Sequence, residues 1–497
     1  MGRQQTGYAR AAARILAMAL TLVLTLWGCA TAPPSTSTPT EPPREPSPPV
    51  TSPDKELGKA FLAEALRQYR FVKDPEVTRL VNEVGRRVVD AAGSNPEGYH
   101  FLIVREPQLN AFSIPGGYIF FFEGLLGQIN SVEELAGVMA HEVAHVQKNH
   151  FFKDQKKILA MDLATFAAIL LGGPEAAVLA QGANINLRLH FSRENEEEAD
   201  AAALIYLRHA GYNPEGLLRF FETLASYERF NPPLLPSYFS THPGVQERLR
   251  TVSVLLRGVK PELPASPPAQ ADQANRQARR LAPVTGIEDW GRTAVILRSS
   301  VGGSERSTED LKGVVSKVVG EQAPEDRRHY LLGLAYLKID RIAQAIPEYQ
   351  EALRLAPENA VYHADLAYCY LRTKKMDLAR LEAERVLDLS AQIPLAYLVL
   401  GILKAEAGEL DSAIGNYRQA LLLAPDDPQI HWNLAQGYFK KDEKLMGAYH
   451  LGRYSRLNLE PDRAMEQFRH AQGLSEKGSE LSLSIQKEMD EILREGV

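Results

Sequence analysis

Three alanines, Ala345, Ala379 and Ala413, follow one another at intervals of 34 residues. A fixed period of that length marks helix pairs stacked one on the next, because each pair has an apolar face that only its neighbours can cover. In the first unit Leu332, Gly333 and Tyr336 precede Ala345, and Tyr349, Ala352 and Pro357 follow it. The third unit repeats the pattern with Leu400, Gly401, Ala413, Tyr417, Ala420 and Pro425, while the middle one keeps Leu366, Ala367, Tyr370 and Ala379 and is weaker afterwards. Small residues let paired helices approach and the aromatics fill the gaps between pairs, so these are packing positions. Past "PQIHWNLAQGYF" the frame shifts, and Leu451, Gly452, Ala464, Phe468 and Ala471 restart the pattern half a repeat early. The expectation is an α-solenoid over residues 326–478, closed by a C-terminal helix or cap over 479–497.

At 497 residues the chain is too long for one core, so further domains are expected. A formal net charge of −6, without a basic stripe carrying interleaved aromatics, gives no case for nucleic acid. The two cysteines, Cys29 and Cys369, exclude a disulfide framework and a Cys-rich zinc finger. Arg3, Arg10 and Arg14 precede the apolar run "ILAMALTLVLTLW", which suits a signal peptide over 1–28 and falls short of the ~20 residues that span a bilayer. Leu26, Gly28 and Cys29 resemble the lipobox of bacterial lipoproteins, from which Trp27 departs; the alternative is ordinary cleavage after Ala32. Lipidation of Cys29 would anchor an exported chain firmly to a membrane. Residues 29–53 are rich in Pro, Ser and Thr and read as a disordered tether, and residues 259–285 read as a linker. One domain therefore occupies 54–258, and residues 286–325 receive no assignment.

That domain contains "NSVEELAGVMAHEVAHVQKNH". Ser131 is placed to cap a helix and Glu134 to reach back in a capping box. Val132, Leu135, Met139, Val143 and Val146 fall on one inward face at helical spacing. His141 and His145 lie one turn apart and can reach one ion together, with Glu142 turned about 100° around the axis, beside that ion. Zinc hydrolysis needs this pattern: two neutral imidazoles, a third protein ligand, an open position for water and a carboxylate general base. Chance gives roughly 0.02 occurrences of H-E-x-x-H in a chain of this composition, so a merely polar helix face is the weaker reading.

The third ligand does not lie ten residues after the first histidine, where Phe151 stands; His150, one short, reads as a helix-end residue favoured by the dipole. Further on comes "FSRENEEEADAAALIYLRHAGYNP", a helix capped by Ser192 and ended by Gly211 and Pro214. Glu196 and Asp200 share one of its faces. Glu196 is assigned as the third ligand, and Asp200 as the acceptor for the far nitrogen of a ligating histidine. Between the two helices, residues 158–190 are apolar but interrupted by Asp162 and "GGPE", which favours two short helices over a membrane span.

The segments "AHEVAHVQKNH" and "SRENEEEADAAAL" together resemble the gluzincin endopeptidases that include the CAAX prenyl proteases and the HtpX-like peptidases. "LNAFSIPGGYIFFFEGLL" resembles the stretch that precedes the zinc helix there. With the repeats, the chain is most similar to the BepA-like branch of soluble periplasmic peptidases. The resemblance implies a mainly α chain: an α+β zinc-peptidase domain with a small β-sheet, then tetratricopeptide repeats. It implies one Zn²⁺ per chain, held by His141, His145 and Glu196, with Glu142 catalytic. It also singles out His242, in "STHPGVQERL", as a latch on the open metal position or a donor to the oxyanion, with a plain loop histidine as the remaining alternative. "YIFFF" is strand-like after a Pro-Gly-Gly turn, and an edge strand at Asn110, Ala111 and Phe112 would pair with an extended peptide substrate. The implied setting is the periplasm of a bacterium, lipid-anchored at the outer membrane. The implied partners are unfolded or stalled outer-membrane β-barrel proteins and their assembly machinery. The competing reading is a chaperone or scaffold for outer-membrane protein assembly with little or latent proteolysis.

Overall fold

The computed structural model describes residues 52–151, 191–230, 238, 242–258, 286–300, 306–320 and 322–496. The signal peptide, Cys29, the tether up to residue 51, the linker 259–285 and the expected helices within 158–190 lie outside the described residues. Among those described, no helix is long and apolar enough to cross a membrane.

The first part of the chain is helical around one small sheet. Helix α1 (Ser52–Gln68) and helix α2 (Pro75–Ala91) are followed by strands β1 (His100–Val104), β2 (Ala111–Ile114) and β3 (Tyr118–Phe122). The strand order is β1-β3-β2, with β1 parallel and β2 antiparallel to β3. "YIFFF" is thus the middle strand, and β2 is an edge. The sheet is buried on both faces. Phe101, Ile103, Ile119 and Phe121 join the core made by α2 and the later helices. Leu102, Phe112, Phe120 and Phe122 pack under Phe61 of α1, whose ring meets Phe120 edge-on at 5.5 Å. A strand covered on both sides cannot alternate apolar and polar, which explains the unbroken apolar run of β3.

Helix α3 (Val132–Gln147) carries the histidine motif. Ser131 caps it by accepting from the Glu134 amide at 3.2 Å, but Glu134 reaches past the cap, accepting from the Asn130 amide at 2.9 Å. Of the five apolar residues expected to face inward, Val132, Leu135, Met139 and Val143 are buried and Val146 is half-buried against the core, yet the helix is not one-sided: His141, Glu142 and His145 are buried too. It is enclosed by α2, β2, α4 (Arg193–His209) and α5 (Glu215–Phe230), with α6 (Val245–Gly258) closing on α4 and α5. The crossing with α5 is close enough to need glycine, since a Cβ on Gly216 would lie 2.1 Å from the Glu133 carbonyl oxygen.

Residues without a sequence assignment form two helices, α7 (Gly286–Ser300) and α8 (Thr308–Val319), which pack on each other and on α9 (Glu325–Lys338). Helix α7 also packs on α2, so it joins the core of the first domain to the repeats. Arg292 of α7 bridges Glu76 of α2 at 2.7 Å and Asp365 of the repeats at 2.7 Å, and Lys338 of α9 meets Asp74 at 2.7 Å.

The repeats then run as helix pairs: α9 with α10 (Ile342–Leu355), α11 (Ala360–Arg372) with α12 (Met376–Leu389), α13 (Pro394–Glu406) with α14 (Leu410–Leu423) and α15 (Pro428–Lys440) with α16 (Lys444–Leu457). Gly333 lies against Tyr349 and Gly401 against Tyr417, so the small-against-aromatic pattern is a helix-crossing device. The frame shift has a physical form. Helix α16 closes one pair and opens the next with α17 (Pro461–Leu474), Gly452 facing Phe468 as Gly401 faces Tyr417. The last helix, α18 (Glu480–Glu495), packs on α17 and returns to the start of the domain. The Tyr118 hydroxyl donates to the Glu495 carbonyl at 2.6 Å, and Lys59 donates to that of Leu493 at 3.3 Å.

One repeat position changes chemistry along the stack. His329 pairs with Glu348 at 2.6 Å and His363 with Glu382 at 2.5 Å. One and two periods after His363 the same places hold Tyr397 with Asn416 and then His431 with His450. The last two imidazoles stand 3.0 Å apart and buried. Burial, with Arg453 beside both rings, pushes His431 down to about 4 and His450 to about 3 from an ordinary 6.5. The folded chain therefore binds fewer protons than the unfolded one below pH 6.5, and the stability this pair contributes is lost as pH falls from there through 4. Acidification across that window should lower the melting temperature of the parent more than that of His431→Tyr/His450→Asn, which copies the Tyr397–Asn416 pair. Equal slopes in thermal melts would remove the imidazoles as the cause.

Candidate metal centre

Four buried side chains converge between α3, α4 and the segment leading into α6: His141, His145, Glu196 and His242, whose ligand atoms all lie within 4.8 Å of one another. The helices explain the placement. One turn of α3 sets the two imidazole Nε2 atoms 2.9 Å apart, and Ser192 starts α4 at the register that brings Glu196 over them. Glu196 Oε1 lies 3.2 Å from His145 Nε2 and its Oε2 lies 3.6 Å from His141 Nε2. His242 Nδ1 lies 3.1 Å from Glu196 Oε1 and 3.3 Å from His141 Nε2. Tetrahedral zinc with bonds of ~2.1 Å has ligand atoms about 3.4 Å apart. These separations, and a donor set of imidazole nitrogens with one carboxylate, fit that ion.

The protonation states of His145 and Glu196 suit ligation. Burial and the neighbouring His141 hold His145 well below its ordinary value, so its ring is neutral. Burial pushes the Glu196 carboxyl up, but Arg248 and His242 outweigh it and hold it well below the carboxylate range. On His242, burial opposes protonation while Glu196 and Glu142 favour it, with a net upward shift. Its Nε2 faces the Ala111 carbonyl of the β2 edge at 3.3 Å and Glu142 Oε1 at 3.5 Å. Both carboxylate oxygens of Glu142 are fully buried without a hydrogen-bond partner among the described residues. Such a group is costly unless a ligand or substrate answers it.

Asp200 is one turn beyond Glu196, and its Oδ1 lies 2.9 Å from His141 Nδ1, the far nitrogen of that ring. Asn110 is buried, and its carbonyl accepts from the Phe122 amide at 3.0 Å. The ring of Phe112 belongs to the opposite face of the sheet, stacked on Phe120 at 5.0 Å, so only its backbone lies along the edge. His150, three residues past the end of α3, is completely buried, with Nδ1 3.0 Å from His145 Nδ1.

Sequence reading missed Arg248. Its guanidinium is 2% exposed, grips both oxygens of Asp200 at 2.7 and 2.8 Å, ion-pairs with Glu196 and lies over the Phe221 ring at 4.5 Å. The available signal was indirect: two acids on one buried helix face demand a cation, and Arg248 follows His242 by six residues. Phe191 and Tyr238 were missed as well. Their rings lie 4.1 Å from His145 and 4.6 Å from His242 and wall the cluster with apolar surface.

Arg248→Met would leave two buried carboxylates without their shared cation, which costs about 3–5 kcal/mol. Denaturant unfolding should show that loss in chelator, with part of it recovered in zinc, because a bound cation replaces some of the missing charge. Equal stability of parent and variant in chelator would contradict the assignment.

Comparison with known proteins agrees with this layout. Residues 75–255 match the model of peptidase family M48, and residues 330–394 and 401–442 match tetratricopeptide repeat models. A putative beta-barrel assembly-enhancing protease of Vibrio cholerae is 27% identical over 62% of this chain and 62% of its own length. The beta-barrel assembly-enhancing protease of Escherichia coli is 26% identical over 63% and 62%, and a mitochondrial metalloendopeptidase OMA1 of Schizosaccharomyces pombe is 29% identical over 40% and 60%. The match thus spans a little under two thirds of the length of these relatives. With the histidine helix and the carboxylate helix both inside the matched region, the chain carries a peptidase family M48 domain followed by tetratricopeptide repeats.

Proposed function

We propose that this chain is a zinc-dependent endopeptidase of the bacterial cell envelope. The observation that carries the reading is the convergence of His141, His145 and Glu196 beside the buried carboxylate of Glu142. In this reading those three side chains hold one Zn²⁺, within a domain spanning 54–258. Bound zinc supplies Lewis acidity, which activates water and polarises a peptide carbonyl. Glu142 takes the proton of the attacking water on its carboxylate and passes it to the leaving amine. Asp200 fixes the ring of His141 through Nδ1, and Arg248 fixes Asp200. The backbone of β2 at Asn110, Ala111 and Phe112 offers an edge along which an extended peptide can pair.

The substrates are proteins, held or selected by the repeats over 326–478. Relatives named for β-barrel assembly support clients among outer-membrane β-barrel proteins, and a role in their quality control. The sequence of the first 53 residues supports export to the periplasm and anchoring at the outer membrane through Cys29.

A second reading, an assembly factor with latent proteolysis, is favoured by His242. Its Nε2 faces the Ala111 carbonyl, which turns the lone pair of Nδ1 toward His141 and Glu196 as a fourth donor. In that position it closes the metal centre to substrate and touches the edge strand.

Glu142→Gln should lower casein digestion about 100-fold or more while zinc content stays at one per chain. Equal digestion by parent and variant would end the peptidase reading. His242→Ala should digest casein faster than the parent; a slower rate would make His242 a donor to the reacting oxyanion instead of a latch.

A further inference from the structure

His150 and Glu198 take no part in the reading above, yet they touch its centre. Helix α3 ends at Gln147, and Asn149 adopts a left-handed backbone with φ of 55°. Asparagine is one of the few residues with a side chain that enter this region readily. The turn swings His150 back beneath its own helix until its ring meets that of His145, the ring centroids 4.9 Å apart and the planes at 78°.

The hydrogen-bond roles then follow from the outer end of the chain inward. Glu198 of α4 lies 3.1 Å from His150 Nε2 through one oxygen and 3.3 Å from Lys148 Nζ through the other. A carboxylate oxygen accepts, so the hydrogen bond there is donated by His150 Nε2. His150 Nδ1 is then a lone pair facing His145 Nδ1 at 3.0 Å, and His145 Nδ1 must be the donor there. That leaves the lone pair of His145 on Nε2, the atom that faces Glu196 Oε1 at 3.2 Å and His141 Nε2 at 2.9 Å. His141 has its far nitrogen on a carboxylate directly, at Asp200. His145 reaches one through an intervening imidazole.

We propose that His150 is a positioning residue that, with Glu198 behind it, fixes the tautomer and ring orientation of His145 for metal binding. The proposal rests on the reading of His141, His145 and Glu196 as a metal site and adds a second support to it. Partners of this kind typically change metal affinity 10–100-fold when removed.

The test is zinc affinity, measured by competition with a chromophoric chelator on metal-free full-length protein, alongside the visible absorption of the Co²⁺ form. His150→Leu should weaken zinc about 10–100-fold and alter the Co²⁺ bands. His150→Asn, whose carbonyl oxygen can stand where Nδ1 stood, should recover most of the affinity. Glu198→Ala, at a partly exposed side chain, should weaken zinc by a smaller factor. Zinc binding by His150→Leu as tight as the parent's, or equal losses in the Leu and Asn variants, would overturn the proposal. If His150→Leu fails to fold, unchanged affinity in Glu198→Ala overturns it. Absence of zinc binding by the parent would instead sink the metal-site reading on which it rests.

Discussion

The structure depends on burying a charged cluster inside helix packing. Asp200, Glu196 and Arg248 are nearly inaccessible to solvent, and so are the three imidazoles they touch. Charges so enclosed are tolerable only when each is answered by another, in good geometry. Arg248 offsets both acids from α6, so α6 must close over α4 to bring its charge to them. The fold around α3 is therefore organised by charge compensation as well as by apolar contact. The close crossing at Gly137 and Gly216 and the two-faced sheet supply the enclosure that makes this compensation necessary.

Much of this was legible in the chain itself because the signals are local. Ser131 and Ser192 announce the starts of two helices, and a four-residue interval fixes His141 with His145 and Glu196 with Asp200. The 34-residue alanine spacing gives the stack, and even its half-period slip is visible at Gly452. Each of these readings needs only the pitch of a helix or the length of a helix pair. Once both motif helices are placed, the pairing of His141 with Asp200 follows from helix geometry.

What the sequence hid is whatever depends on two distant segments meeting. Arg248 stands in an ordinary amphipathic helix, and nothing in its neighbourhood says which acids it will meet. His150 looked like a helix-end residue because the left-handed turn at Asn149 reverses its direction, a matter of one backbone angle. The stretch from Gly286 to Val319 escaped assignment since its role is to pack between two domains, and such helices lack the period of either. Helix α3 misled in a quieter way: its apolar stripe suggested one buried face, whereas most of its circumference is buried.

The return of α18 to α1 and β3 has a mechanical consequence. A solenoid attached at one end flexes like a free spring, its curvature set only by the contacts between successive pairs. Here α7 and α9 hold one end at α2, and Tyr118 and Lys59 hold the other. The stack is thus clamped at both ends to the first domain, and its radius is dictated by the span between the clamps. Anything that widens its inner groove must stretch the far attachment, and the load falls first on the central strand of the sheet.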